Sequence, residues 1–467
     1  MSDIAAPQFD FLAPIPPRPV QPWPLLTLLR RGRRNLLEMF SEKLLNQDYS
    51  DSKVLSRRVI VCNSPETVQA ALLGQHAALQ RKSPQMRHSL EPLIGDGLFI
   101  SDGETWAKRR RLIAPVVHVN RMPLFAPVMV EAAEAAANRW AALPADEPVM
   151  MLNEMAKLTA EIICRTVFGR ALGDAHAAEI VGGFSDYQRR ISSTDMMSLL
   201  GLPDWMPRLL GPGTKRAGNR IQRVLDAIID SHRKARAAGT AGDEPTILKL
   251  LMDAEDPSTD SVFTADGLRN EAAVLFMAGH ETTANSLSWT WFLLSQSPRV
   301  VAKLHAELDN VLGGRSPSLA DLPSLPYTKA VFEESMRLYP PVAVLPREAT
   351  EDTEILGNKV PKGSMVLVIP WLLHRKPSLW DKPDHFIPER FLPENSIGRS
   401  KYAYIPFSAG PRVCAGLAFG MTEAVLCLAT LAQTFAPEMV PGTKVEPVCR
   451  LTLRPDNGLP MLIKRRV

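Results

Sequence analysis

Cysteine is scarce in this 467-residue chain: there are five. They stand far apart at Cys62, Cys164, Cys414, Cys427 and Cys449, with no Cys-x-x-Cys pair. An odd, scattered set excludes a disulfide framework and a cysteine-rich zinc module, and it fits a reduced, intracellular setting. Long apolar runs are missing too: no stretch reaches the roughly 18–20 uninterrupted apolar residues a membrane span needs. Residues 25–29 form the compact apolar run near the N-terminus, but Arg30, Arg31, Arg33 and Arg34 follow it rather than precede it, so no secretory signal is expected. An excess of one charge is also absent. Lys+Arg 54 against Asp+Glu 50 leaves +4, too even for a chain that coats nucleic acid. No internal repeat or Gly/Ser linker marks a domain boundary. With 45% hydrophobic and 22% charged residues the composition is that of a folded protein.

The pattern that is present is helix-rich from about residue 65 to 340, with candidate helices at 64–73, 128–143, 152–168 and 217–238. Breakers cluster at 201–213 and 253–261 and read as surface loops. The longest candidate, 265–296, is apolar on most faces and should be buried; at 1.5 Å per residue it would run roughly 45 Å. Ser297-Pro298 reads as N-cap and first-turn proline of the next helix. After Pro340-Pro341 the texture changes. Residues 354–360 look like a hairpin around Gly357-Asn358, 365–369 a buried strand, 376–406 a long irregular loop and 415–435 a last helix. The fold class expected is mainly α with a minor β region, in one domain over 1–467. Residues 1–50 would be a proline-rich arm (Pro14, Pro16, Pro17, Pro19) and a first helix. The arginine cluster after residue 29 reads as a solvated helix face, with anionic lipid or a protein partner as the other reading.

The most informative segment is 407–416, Phe-Ser-Ala-Gly-Pro-Arg-Val-Cys-Ala-Gly. Its glycines permit close backbone approach. A cysteine entering a helix sits where the dipole and free N–H groups favour thiolate. A flat anionic partner would lie against such a loop, with Arg412 meeting its acid groups; taken singly, a cysteine there is more often a small buried hydrophobe. Phe407-x-x-Gly410-x-Arg412-x-Cys414-x-Gly416 resembles the haem-binding signature of the cytochrome P450 superfamily at all five fixed positions. The resemblance implies a single-domain fold with a long central helix over the haem. It also implies haem b (iron protoporphyrin IX) with the Cys414 thiolate as axial, metal-binding ligand, a ligand that favours O–O cleavage.

Further motifs follow in the order the family requires. Glu334-x-x-Arg337 puts two partners on one helix face, and Arg390 in Pro388-Glu389-Arg390-Phe391 would join them; the resemblance gives these three a structural role. Ala278-Gly279-His280-Glu281-Thr282-Thr283 lies on the long helix, with Ala278 and Thr282 four apart on one face. A mid-helix threonine ordinarily bonds back to a carbonyl. By resemblance, however, Glu281 and Thr282 are the catalytic proton-delivery pair, on a helix kinked over the haem with Ala278 near the iron's open side. Trp106 and Arg110 match Trp-x-x-x-Arg and, with Arg347 and Arg412, would meet the haem propionates. Lys108, Arg109 and Arg111 would receive an acidic electron donor. Pocket walls are implied around 85–100, 185–210, 270–282, 342–346 and 450–453, with Phe276, Val344 and Leu345 as substrate-pocket candidates.

The function so implied is a soluble, bacterial-type monooxygenase placing one oxygen atom of O2 into a lipophilic small molecule by hydroxylation or epoxidation. No phosphate-binding glycine fingerprint stands out, and too few residues follow Cys414 for a fused flavin reductase. A separate ferredoxin- or flavodoxin-type donor with its reductase is therefore expected. The chain is expected to be a cytoplasmic monomer with no nucleic-acid partner and no transmembrane span. Motif wording leans toward the fatty-acid-hydroxylase branch; fatty acid, terpenoid, steroid and aromatic all fit a greasy pocket. A haem-thiolate peroxygenase, isomerase or dehydratase without reductase is the second reading and a non-turnover haem sensor the third; the intact Glu281-Thr282 pair counts against both.

Overall fold

The computed structural model describes residues 11–144, 146–169, 179–184, 186–187, 212–240, 244–254 and 263–466. The helices that position the site are α1 (Leu25–Arg34), α2 (Pro84–Ile94), α3 (Gly103–Ile113), α4 (Met122–Ala141), α5 (Met151–Phe168), α6 (Pro212–Ala237), α7 (Ala265–Ser295), α8 (Pro298–Leu312), α9 (Pro326–Leu338) and α10 (Leu417–Ala432). The organising element is α7, 31 residues long. Thr264 caps it by accepting from the Gly267 N–H, and Asp266 complements the dipole in the first turn. Its apolar residues face most directions, so it is enclosed rather than laid on a surface. α5 packs along it, and Gly279 permits the approach: a Cβ there would stand 2.6 Å from Ile163 Cδ1. On the opposite end Trp289 stacks on Tyr339 at 3.9 Å between ring centroids, an apolar burial of about 2–3 kcal/mol for such a side chain.

The strands that matter are β1 (Tyr49–Val54), β2 (Arg57–Cys62), β3 (Arg81–Lys82), β4 (Leu345–Glu348), β5 (Thr353–Ile355), β6 (Asn358–Val360), β7 (Met365–Val368), β8 (Pro447–Cys449) and β9 (Leu453–Pro455). The larger sheet runs β1-β2-β7-β4-β3. β2 and β7 are parallel, with Val59 opposite Met365; β4 is antiparallel to β7 and to β3, which sets Lys82 opposite Arg347. One buried apolar cluster gathers α4, α5, α7, α9 and α10, and a second lies under the sheet. The fold is mainly α with a minor β region. No helix among the described residues is long and apolar enough to cross a membrane.

Several boundaries differ from expectation. The helix expected at 64–73 is α-helical only over Pro65–Gln69 and widens to a π turn over Ala70–Gly74. The α4 helix begins six residues earlier than its periodicity suggests, at Met122–Pro123, because proline fits a first turn. Ser297 makes no capping hydrogen bond, although Pro298 does open α8. The β5–β6 hairpin pivots on Leu356-Gly357, both with positive φ, and not on Gly357-Asn358. Pro212 and Gly213 start α6 rather than end a loop; residues 201–211 and 255–261 lie outside the described residues.

Candidate active site

The cysteine loop is held by backbone geometry before any side chain acts. The Cys414 N–H donates to the Phe407 carbonyl at 2.9 Å, and the Val413 N–H to Gly410 at 3.0 Å. Gly410 has φ +69°, and a Cβ on it would lie 2.2 Å from the Leu72 carbonyl oxygen, so only glycine lets the loop lie against the π turn. Ser408, with φ 65°, sits in the left-handed region beside it. Cys414 is enclosed by protein yet keeps accessible surface, because its sulfur faces a cavity. Burial pushes the free thiol up, while the Gly416 N–H and the Arg110 and Lys82 cations pull it back. The helix-terminus preference for thiolate is thus outweighed by desolvation, since α10 starts only at Leu417.

That cavity runs between α7, α3, the cysteine loop and the 341–346 segment; Trp106, Arg110, Ala278, Thr282, Phe407, Arg412, Gly416, Val344 and Leu345 are all in its wall. Its cations are unusual. Lys82 and Arg347 face each other across β3 and β4, an arrangement that is destabilising for like charges with nothing between them. Burial pushes Arg347 down to about 10 and, with the Arg347 charge, Arg412 to about 9. Among the described residues none of Lys82, Arg110, Arg347 and Arg412 makes an ion pair. Arg412 spends donors on the Gln80 and Ser101 carbonyls at 2.7 and 2.8 Å, clamping the chain that leads into α3, and its guanidinium lies 5.0 Å from the Trp106 ring. Among the described residues the Arg347 side chain donates only to the neighbouring Pro346 carbonyl, and it lies behind the wall rather than in it.

Away from the cavity, Glu334 and Arg337 are fully buried on α9 and joined by two hydrogen bonds of 2.7 and 2.8 Å. Arg390 reaches the same carboxylate at 3.4 Å, and the Ile387 N–H donates to it at 3.0 Å. Arg337 also donates to the His374, Pro383 and His385 carbonyls. The three residues therefore stitch α9 to the long loop that leads to Cys414.

On α7, Thr282 Oγ1 donates to the Ala278 carbonyl at 2.7 Å, and the helix runs unbroken through both. Glu281 is not in the cavity wall: its carboxylate accepts from the Thr452 hydroxyl at 2.7 Å, and Asn285 donates to that same hydroxyl at 3.2 Å. Residues 450–453 thus pack on α7 outside the cavity instead of lining it. Phe276, expected in the pocket, is also elsewhere. It is buried against Phe184 and His280 and is not in the cavity wall, although its neighbour Leu275 is. Of the 185–210 wall only 186–187 are described. Arg109, expected free for an electron donor, is bound to the buried Glu271 at 2.6 Å, and Glu271 also accepts from the Leu98 N–H. Burial pushes the Glu271 carboxyl up to about 7 against those partners.

Three functional candidates escaped the sequence reading. Lys82 joins the cation group, and only strand pairing reveals it. Glu271 ties the 95–101 segment to α7; the signal was an acid inside an otherwise apolar helical run. Glu423 lines the cavity from α10 without a hydrogen-bond partner of regular geometry.

The residues fit a haem. Four cations that make no ion pair among the described residues suit its acid groups, and a Cβ on Gly416 would meet nothing within 4 Å, so the cysteine loop borders open space. The wider comparisons agree. The family model described as cytochrome P450 matches residues 16–461. The chain is 34% identical over 425 residues to the cyclooctatin synthase of Streptomyces melanosporofaciens, covering 90% of this chain and 89% of that protein. To cyclooctat-9-en-7-ol 5-monooxygenase of the same organism it is 32% identical, covering 83% and 82%. It is 32% identical to human cytochrome P450 4V2, covering 81% and 75%. The crystal structure of the cytochrome P450DA heme domain superposes with a TM-score of 0.79 over 98% of both chains, at 24% identity, which shows the fold. A match over nearly the whole length, with a sulfur facing a cation-ringed cavity, leads to one conclusion: the chain belongs to the cytochrome P450 family, haem-thiolate monooxygenases whose iron is bound by a cysteine.

Proposed function

We propose that the protein hydroxylates or epoxidises an apolar small molecule in this cavity, taking electrons from a separate ferredoxin- or flavodoxin-type donor and its reductase, as one domain over 1–467 in the cytoplasm. When bound, the haem supplies activation of dioxygen at an iron held by sulfur. The chain supplies the rest. Cys414 holds the metal, and the hydrogen bonds of the loop keep its sulfur in place. Trp106, Arg110, Arg347 and Arg412, with Lys82, hold and neutralise the acid groups. Glu334, Arg337 and Arg390 brace the loop. Ala278 leaves room above the metal, and Thr282 presents a hydroxyl oxygen to the cavity for proton delivery, with Glu281 one residue away. Val344, Leu345, Leu98, Phe99 and Val274 exclude water and recognise apolar surface.

The observation that carries this reading is Cys414 facing a largely apolar cavity that also holds Thr282. The fatty-acid lean and the relative named for cyclooctat-9-en-7-ol both call for apolar ligands, so fatty acids and polycyclic alkenols form the first panel for substrate-induced shifts of the haem absorption. The test of the assignment is spectroscopic. The dithionite-reduced carbon monoxide complex should show the red-displaced Soret band of sulfur coordination, and Cys414→Ser should abolish it. A histidine-like spectrum in both would overturn the reading. For Thr282→Ala, more of the electrons should end as hydrogen peroxide; unchanged coupling would remove Thr282 from proton delivery.

A further inference from the structure

Glu271 is fully buried on α7, and the function above gives it no task. It stands behind the cavity wall rather than in it, seven residues before Ala278, about 10 Å back along the helix. The Leu98 N–H donates to both of its oxygens, at 3.0 and 3.2 Å, and Arg109 donates to one of them at 2.6 Å. Burying an acid costs free energy that an apolar side chain in the same place would not, so the reason for Glu271 lies in what it binds.

What it binds is a single turn that carries part of the cavity wall. The Ile100 and Ser101 N–H groups both donate to the Gly97 carbonyl, at 3.1 and 3.0 Å, which winds 97–101 into one helical turn. The Leu98 N–H opens that turn and points out of it, as first-turn donors do, so its acceptor has to come from elsewhere in the chain. At the other end Arg412 donates to the Ser101 carbonyl at 2.8 Å. The turn is therefore pinned by an acid from α7 at its N–H end and by a cation from the cysteine loop at its carbonyl end. Between the two pins, Leu98 and Phe99 line the cavity together with Val274 and Leu275 of α7. The approach is close: a Cβ on Gly97 would stand 2.6 Å from Val274 Cγ2. Apolar contact is non-directional and does not fix which way a short turn faces; a hydrogen bond does.

We propose that Glu271 is the positioning residue of the apolar substrate wall: through the Leu98 N–H it holds Leu98 and Phe99 against α7, and so sets how well the cavity grips a long apolar tail. The proposal rests on the monooxygenase reading and gives its specificity a buried polar anchor. Glu271 itself acts from behind the wall, through the turn it holds. Arg109 aims the carboxyl group, and a protonated Glu271 would still accept from Leu98 through its carbonyl oxygen, so the anchor does not depend on the charge.

The experiment uses the haem-loaded protein without substrate. Hydrogen exchange should find the Leu98 amide slow in the wild type and about tenfold faster or more in Glu271→Leu, as expected when a hydrogen bond to a carboxylate is lost. The amides of α5 and α10 should keep their wild-type rates. Glu271→Gln, whose amide oxygen can accept from Leu98, should restore slow exchange. The wall is then read with two iron-binding probes, imidazole and 1-octylimidazole, titrated by the shift of the haem absorption. Imidazole should bind Glu271→Leu as it binds the wild type. The extra affinity given by the octyl tail should fall on the order of tenfold, the equivalent of about two methylenes no longer buried, and Glu271→Gln should again restore it. Fast exchange at Leu98 in the wild type, unchanged exchange in Glu271→Leu, or an unchanged gain from the tail each overturns the proposal. Equally faster exchange in α5 and α10 would make Glu271 a residue of general stability and overturns it too. The carbon monoxide spectrum reports the monooxygenase reading separately, so the two fail independently. Should Glu271→Leu not fold, Glu271→Asp, which keeps the charge but draws the carboxylate back by one methylene, carries both readouts.

Discussion

Two groups of buried charge flank the cysteine loop and are built in opposite ways. On one side Glu334, Arg337 and Arg390 compensate one another, and Arg337 fills its remaining donors with three backbone carbonyls. On the other, Lys82, Arg110 and Arg412 line a cavity with Arg347 behind its wall, and among the described residues none of the four makes an ion pair. The first group is complete within the polypeptide and acts as scaffold. The second is complete only with an anion from outside, so its residues raise the energy of the empty chain and stabilise the loaded one. Burial alone does not separate scaffold from binding site here; the presence of an internal counter-charge does.

That contrast can be broken by substitution. The largest effect is expected for Glu334→Ala, which strands Arg337 and Arg390 as buried unpaired cations; denaturant unfolding should show a loss of about 3–5 kcal/mol with or without haem. Next comes Glu271, the buried acid of α7 held by Arg109 and the Leu98 N–H. Burial pushes its carboxyl up to about 7 from the ordinary 4.5, so the folded state binds its proton more tightly. Its contribution is full below pH 4.5 and declines as pH rises through about 7, a window worth about 3 kcal/mol. Unfolding measured against pH should therefore lose slope across that window in Glu271→Gln; an identical slope would show that Arg109 and the Leu98 N–H keep the acid ionised. Gly410→Ala should cost about 1–3 kcal/mol through its positive φ and the close Leu72 carbonyl, read as a lower midpoint and looser haem retention. Smallest is Arg347→Leu. The haem-free chain should be unchanged or about 1 kcal/mol more stable, because a buried uncompensated cation is gone, while haem loss to an acceptor protein should quicken. A drop in haem-free stability would place Arg347 with the scaffold group.

Much of this was legible in order along the chain. The 407–416 segment was legible through its resemblance to the haem-binding signature, since its cysteine taken singly reads more often as a small buried hydrophobe. Glu334 and Arg337 were legible in the same way, as a motif three apart on a helix. The extent of α7 followed from a long run that is apolar on most faces. The errors share a different cause. Leu275 and Phe276 are equally apolar in sequence, yet one lines the cavity and the other packs on Phe184, since a helix buried on all sides gives no clue to which face is hollow. Arg109 read as a surface charge because its partner, Glu271, is 162 residues away.

Local spacing was enough to establish the helical class, and the motifs it spells carried, by resemblance, the cysteine ligand and the buttress beside it, because each motif is written within a turn or a loop. Which cations make no ion pair, which way Glu281 turns and that Glu423 stands in the cavity wall depended on strands and helices brought together from distant parts of the chain. The charge on a buried group is governed by what surrounds it in space, and neighbours in space are not neighbours in sequence.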